Sequence, residues 1–301
     1  MKKSMLGVLT YRRVDVLKTM LTGLRQHCAQ YPLVIVEDCG QADATADFLQ
    51  AGGRPVFNEE LLAYEYAASS GPLSNLWDGV RVLMGERNLG VTGNSNRALR
   101  LFEQSDCDHF CLCNDDLHVD GDFVDFYAKA HADLGVDFFA FCDFTHHPSY
   151  QWTTYRHRGY GVKFLPRMTG IMLSMTRRVL DRIGYFDAQF GTFGEEHCDY
   201  NHRARMTGCI RLENSDMHCL DVEHGFLRHQ ECPTSVSGPA RNMADQIASA
   251  VMQKVCSDYR WRSPHRPFRL ILPLKANGYS RVGIPVEQLM DCGYRLVQAL
   301  A

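Results

Sequence analysis

A chain of 301 residues, 45% apolar and 22% charged, holds enough material for one large globular domain or for a domain with an appendage. Its formal net charge of -3 offers no global field that would recruit nucleic acid, and no stretch approaches the roughly 20 apolar residues of a membrane span. Twelve cysteines are many for this length, but they are scattered, with no CxxC pair and one loose cluster at Cys107, Cys111 and Cys113. A zinc site would need paired ligands elsewhere, so reduced thiols and a cytoplasmic location are the expectation. The opening MKKSMLGVLTYRR has an apolar stretch too short for a signal peptide.

In chain order, residues 5–10 are a short apolar run and predict a first strand. Val14, Leu17, Leu21 and Leu24 recur at helical spacing and predict a helix over 14–27. Residues 33–36 predict a second buried strand that ends in Glu37 and Asp38, and 42–51 predict a helix. A third strand is predicted at 80–84. The polar, Gly-bearing stretch RNLGVTGNSN then reads as a loop, with a helix over 94–102 and a fourth strand at 110–113. Further on, 138–142 and 170–175 predict strands, 176–183 and 195–205 helices, and 237–259 one more helix. The acids early and bases late in 195–205 suit the helix macrodipole. The tail 261–301, marked by Pro and Arg, carries no assignable pattern.

Strand alternating with helix predicts an α/β fold: a mostly parallel, Rossmann-like sheet flanked by helices. Ligands of such sheets bind beyond the C-terminal strand ends. Thr10 and Tyr11, Glu37 and Asp38, and Asn114, Asp115 and Asp116 should all converge there. Adjacent carboxylates at a strand end repel each other and are costly to bury, an objection that a bound divalent cation removes. Oxygen ligands of this kind suit Mg²⁺ or Mn²⁺, which in turn can hold a diphosphate.

Taken in order, these motifs resemble the GT-A fold glycosyltransferases, specifically family two, the inverting enzymes that use nucleotide sugars. VLTYRR resembles the family's opening strand, VIVEDCG its VVDDGS element, and RNLGVTGNSNRAL its NxGxxxxxNxA element at Asn88, Gly90, Asn96 and Ala98. CNDD falls at the DxD motif, with Asn114 in place of the first acid. IGYFDAQFGTFGEEHCDYNHRARMTG resembles FDExFxxxxEDxDxxxRxRxxG. Aligning Glu196 with the first acid of its ED pair puts His197 where the second usually stands.

The resemblance implies a GT-A domain over 1–230, with a nucleotide-sugar half about 1–120 and an acceptor half about 121–230, and a small C-terminal extension over 231–301. It implies inverting transfer from a UDP- or TDP-linked sugar, assisted by a divalent metal at Asp116, with His224 as a late metal ligand. Thr10, Tyr11, Arg12, Glu37, Asp38, Asn88, Gly90, Asn96, Asn114 and Asp115 are the expected donor-binding residues, with Arg87 or Arg97 facing the diphosphate. Glu37 or Asp38 is expected to meet the base of the nucleotide, or else to cap the following helix. The general base is expected among Glu196, His197, Glu195 and Asp199, with Glu196 first, and Asp199 also forms an i,i+4 pair with Arg203. Trp152, Tyr155, His157 and Tyr160 serve either an acceptor or loop packing. A nucleotidyltransferase, which would want a richer basic loop than Arg12 and Arg13, and a non-catalytic nucleotide-sugar-binding protein are the alternatives. The acceptor is left open among a glycan, a lipid-linked sugar, a protein, a small molecule and a modified nucleic-acid base.

Overall fold

The computed structural model describes residues 3–38, 44–50, 55–67, 73, 77, 80–86, 88–141, 154–165, 170–190, 194–210, 219–230 and 263–270. The predicted helix 237–259, Cys142, Arg87, Trp152 and most of the tail 261–301 lie outside these residues. In chain order the elements are β1 (Ser4–Thr10), α1 (Val14–Cys28), β2 (Leu33–Glu37), α2 (Ala44–Gln50), β3 (Val56–Asn58), β4 (Ala63–Ala67), β5 (Arg81–Gly85), α3 (Gly90–Gln104), β6 (His109–Asn114), β7 (Leu117–Val119), α4 (Phe123–Leu134), β8 (Phe138–Phe141), β9 (Thr154–His157), β10 (Tyr160–Leu165), β11 (Met172–Thr176), α5 (Arg177–Ile183), a 3-10 turn (Ala188–Phe190), α6 (Glu196–Met206), β12 (Cys219–Glu223) and β13 (Leu227–His229).

Eleven strands form one sheet in the order β3-β4-β5-β2-β1-β6-β11-β8-β12-β10-β9. Its centre, β5-β2-β1-β6, is parallel, and β1 and β2 are buried along their whole length. That explains their unbroken apolar sequences, since strands covered on both faces lose the polar alternation. α1 covers the sheet with Leu17, Met20, Leu21, Leu24 and Cys28, the stripe that the helical spacing predicts. Burying each such side chain contributes roughly 1.5–3 kcal/mol. Beyond β6 the sheet becomes mixed: β11 inserts antiparallel between β6 and β8, and β9 and β10 form a hairpin at the far edge. The predicted α/β sheet is therefore present, but its second half is more antiparallel than the Rossmann-like expectation.

The core also carries a polar chain. Ser4 Oγ lies 3.0 Å from His109 Nδ1, His109 Nε2 lies 2.8 Å from Ser174 Oγ, and His131 Nε2 lies 2.9 Å from the same hydroxyl. His131 Nδ1 is 2.6 Å from the carbonyl of Val136. That carbonyl can only accept, so Nδ1 of His131 carries the proton and Nε2 accepts from Ser174. Ser174 then accepts from His109 Nε2–H, and Ser4 donates to His109 Nδ1. One direction of donation satisfies the whole chain, and β1, β6, β11 and α4 are tied together by it.

Two differences from the sequence expectations matter for the site. α3 begins at Gly90, so most of the stretch read as a loop is helix, and Asn96 stands in its second turn, fully buried. Residues 263–270, in the stretch assigned to the extension, pack on the domain. Arg266 exchanges backbone hydrogen bonds with its neighbours there: its N–H donates to Ile183 at 3.0 Å, and its carbonyl accepts from Tyr185 at 3.0 Å. Gly184 permits this approach. Its φ is +66°, and a Cβ there would sit 2.0 Å from the Arg266 carbonyl oxygen. The Arg266 side chain donates to buried Asp187 at 2.7 Å, and Phe268 packs against Tyr185 with ring centroids 5.0 Å apart.

Candidate active site

Strand register brings the expected residues to one edge. Leu9 pairs with Asn114 and Thr10 with Glu37, so the C-terminal ends of β1, β2 and β6 are level. Thr10 Oγ1 donates to Asp115 Oδ2 at 2.7 Å, and both residues are buried. Arg12 leaves β1 in the left-handed region, φ 55°, and its N–H faces Glu37 Oε1 at 3.4 Å. The Arg12 guanidinium lies over the Tyr11 ring, 5.4 Å from its centroid. The next residue, Arg13, turns back across the edge. Its guanidinium binds Asp115 and reaches Asp116 Oδ2 at 3.3 Å.

Asp115 and Asp116 differ in environment. Burial pushes the Asp115 carboxyl up to about 6, against the pull of Arg13 and Thr10. Burial also opposes ionisation of Asp116, but the neighbouring His229 and Arg13 outweigh it and hold that carboxyl below its ordinary range. His229 arrives through a two-stranded ribbon in which β13 pairs with β7 and the Gln230 N–H donates to the Asp116 carbonyl at 2.7 Å. His229 Nε2 then stands 3.7 Å from Asp116 Oδ2.

His224 is placed differently. Its Nε2 is 3.0 Å from the Tyr127 hydroxyl and its Nδ1 accepts from the Phe226 N–H at 3.1 Å. Phe126, Tyr127, Phe141 and Phe226 surround the ring. Burial pushes its pKa down to about 4. With both nitrogens engaged, His224 is held as a neutral, half-buried side chain, and the imidazole beside Asp116 belongs to His229. Tyr160 packs at the rim of this aromatic group and donates to Asp133 at 2.6 Å.

At the end of β2, Asp38 caps α3, not the α2 helix that follows it in sequence. It accepts from the N–H groups of Leu89, at 2.8 Å, and Gly90, and pairs with buried Arg97 at 3.0 Å. Asn88 Oδ1 accepts from the same Gly90 N–H at 2.8 Å. Arg97 also donates to the carbonyls of Leu61 and Leu62, each at 2.8 Å, so its guanidinium is turned inward. Asn96 serves three backbone groups: its amide N–H donates to Phe186 at 3.0 Å and Arg269 at 2.9 Å, and its carbonyl accepts from the Phe186 N–H at 2.8 Å. Glu37 is buried at the same strand end.

α6 presents the acids. Glu195 caps it in the left-handed region, φ 61°. Glu196, first in the helix, is buried; its Oε1 lies 2.9 Å from His197 Nδ1, and its Oε2 meets no hydrogen-bond partner among the described residues. Asp199 and Arg203 form a fully buried pair at 2.8 Å, and Arg203 donates onward to the carbonyls of Ile183, Tyr185 and Pro264. That pair locks α6 to the end of α5 and to residues 263–270.

The two halves of the site meet through Gly170. His197 lies directly on Gly170, the next residue Ile171 accepts a hydrogen bond from the Asn114 N–H at 2.9 Å, and Asp116 follows two residues later. Backbone spacings along this path put Gly170 within about 17 Å of Asp116. Among the described residues, no group of three or more His, Cys, Asp and Glu side chains stands close enough to hold a metal alone. Asp116 with His229 offers one carboxylate and one imidazole. That donor set fits a cation that takes its remaining ligands from water and a diphosphate, and it suits Mn²⁺ better than Mg²⁺.

The fold has solved counterparts. The chain is similar to the mannosyltransferase PcManGT from Pyrobaculum calidifontis in complex with GDP-Man and Mn²⁺: TM-score 0.51, 16% identity, 86% of this chain and 64% of that one. S. aureus TarS, residues 1–349, matches with a TM-score of 0.46 and 12% identity over 68% of this chain and 56% of that one, and its UDP complex with 0.47 and 13% over 68% and 55%. This chain thus spans less than two thirds of the length of each. No family model and no curated protein matches the sequence. Among the described residues no helix is long and apolar enough to cross a membrane.

Proposed function

We propose that this chain is an inverting glycosyltransferase that moves a sugar from a nucleoside diphosphate to an acceptor hydroxyl. The observation that carries the reading is the path Gly170–Ile171–Asn114. It links the strand-end carboxylates to the first turn of α6 through one short run of contacts, with Gly170 within about 17 Å of Asp116. A fold shared with a mannosyltransferase that binds GDP-Man and Mn²⁺ supports it.

In this reading the diphosphate lies over the ends of β1 and β6, and Tyr11, Arg12 and Glu37 face the nucleoside. Asp116 and His229 would hold a divalent cation, which when bound neutralises charge on the departing diphosphate. Asp115 anchors Arg13, a further positive group at that edge. Asp38, Asn88, Asn96, Asp199 and Arg203 act at one remove, fixing the helix starts on which the donor and the base depend. The base comes from the first turn of α6, where Glu196 and His197 are in contact, and Glu195 shapes the turn through its backbone. A nucleotidyltransferase is less well supported, because the arginine that would serve its triphosphate, Arg13, is held by Asp115 and Asp116.

Thermal stabilisation tests the reading. UDP, TDP or GDP with Mn²⁺ should raise the melting temperature above that with Mn²⁺ alone, with about 2.7 kcal/mol expected at a ligand concentration of a hundred times Kd. Asp116→Ala should abolish the metal-dependent part. If none of the three nucleotides stabilises the protein, glycosyl transfer from a nucleotide donor is refuted.

A further inference from the structure

His197 is fixed on three sides. Its Nδ1 faces Glu196 Oε1 at 2.9 Å. One ring face rests on Gly170, where a Cβ would lie 2.1 Å from Nε2 and 2.2 Å from each neighbouring ring carbon, so only glycine leaves room for the imidazole. Phe186 meets the ring edge-on, with centroids 5.6 Å apart and planes at 80°. Phe186 is in turn held by Asn96 and by stacking on Tyr200 at 4.2 Å. The atom left over is Nε2, which makes no hydrogen bond among the described residues, and the side chain is 13% exposed.

Glu196 is the deeper partner. Its side chain is 6% exposed, one oxygen is committed to His197, and the other is buried. His197 is the more exposed of the two, 13% against 6%, and the uncommitted oxygen of Glu196 is buried, so the imidazole is the group better placed to meet an acceptor hydroxyl. The helix start supplies the remaining argument. A cation at the N-terminus of α6 is disfavoured by the macrodipole, and a carboxylate on its Nδ1 offsets that cost as the proton arrives.

We propose that His197 Nε2 is the proton acceptor of the transfer, and that Glu196 is a positioning residue that holds Nδ1–H and keeps the lone pair on Nε2. This rests on the glycosyl-transfer reading. The acceptor oxygen attacks the anomeric carbon on the face opposite the diphosphate, and the new carbon–oxygen bond forms as the bond to the phosphate oxygen breaks. The bond pair leaves with the nucleoside diphosphate. The hydroxyl proton passes to Nε2, giving an imidazolium that Glu196 stabilises and that returns the proton to water after release. Nothing is oxidised or reduced.

The test uses the full chain with UDP-GlcNAc, UDP-glucose and GDP-mannose, reading release of nucleoside diphosphate with water as acceptor and donor affinity by calorimetry. His197→Ala should lower kcat by about 10² to 10⁴ with donor Kd within twofold, and added imidazole should restore part of the rate. Glu196→Gln, which keeps an oxygen for Nδ1–H, should lose only about tenfold of kcat. Nitrogen NMR should find His197 protonated on Nδ1 in the wild type, with that preference lost in Glu196→Ala. Rescue that fails while Glu196→Gln is inert, or an Nε2-protonated His197, overturns the proposal and leaves Glu196 as the base. If a donor binds and turns over equally well in His197→Ala, only this proposal fails; if no donor binds, the glycosyl-transfer reading fails with it.

Discussion

Acidification should expose the role of His224. Its pKa lies at about 4 in the folded protein against 6.5 for the free side chain, because burial among aromatic rings disfavours the imidazolium. Between those values the unfolded chain binds a proton that the folded chain refuses, so this group removes stability as pH falls from 6.5 towards 4. The full difference corresponds to about 3 kcal/mol, of which about 2 kcal/mol disappears between pH 7 and pH 5. Asp115 and Asp38, which burial raises to about 6 and about 7, act in the opposite direction over part of that range, so the wild-type curve alone mixes all three. His224→Phe separates them. Phenylalanine suits the ring cluster but forfeits the bonds to Tyr127 and Phe226, so at pH 7 the variant should be less stable by about 1–2 kcal/mol. At pH 5 that gap should have moved by about 2 kcal/mol in the variant's favour. Guanidinium denaturation at both pH values, followed by tyrosine and tryptophan fluorescence, measures it. A gap that stays constant refutes the neutral histidine. Loss of Mn²⁺-dependent nucleotide stabilisation in His224→Phe would return this residue to the metal.

Three further outcomes follow from the packing around the site. Asn96→Ala strips partners from two buried backbone groups and one half-buried one and should cost about 3 kcal/mol in a denaturant titration, with no added loss of donor affinity in the protein that remains folded. Arg266→Ala leaves Asp187 buried beside an empty place and should cost about 3 kcal/mol; a cost below about 0.5 kcal/mol would show that residues 263–270 do not hold the domain together. Gly170→Ala places a methyl group on the His197 ring, so turnover should fall about 10²-fold while donor binding, read by thermal shift, is retained.

The parallel centre of the sheet was legible because buried strands and an amphipathic helix write their environment into every residue. The run 110–113 and the stripe Leu17, Leu21, Leu24 have few other readings. The convergence of Thr10, Glu37 and Asp115 followed from topology alone, since parallel strands end on one side. What stayed hidden depends on contacts distant in sequence. β7 and β13 are three residues each, too short for a period, yet their pairing delivers His229 to Asp116. Arg13 looks like any exposed arginine until the left-handed turn at Arg12 folds it back. Gly170 gives no local signal, because its need for a missing side chain comes from an imidazole 27 positions later. α3 starts earlier than its sequence implies because Asp38, 51 residues away, caps Leu89 and overrides the Gly and Asn that read as turn. The contact of Arg266 with Asp187, 79 residues upstream, likewise leaves no local signal.

The serine–histidine chain beneath the site acts as a key for assembly. β11 must enter the sheet between β6 and β8, and either neighbour would accept an apolar strand in several alignments. Only the observed alignment, with Ser174 opposite Cys111, presents one hydroxyl to both His109 and His131. Sliding β11 by a single position would offer Leu173 or Met175 instead, stranding two imidazoles in a dry interior at a cost of roughly 1–3 kcal/mol each. The same alignment sets Gly170, two residues ahead of β11, under His197. The placement of the candidate site thus leans on a hydroxyl buried deep in the core.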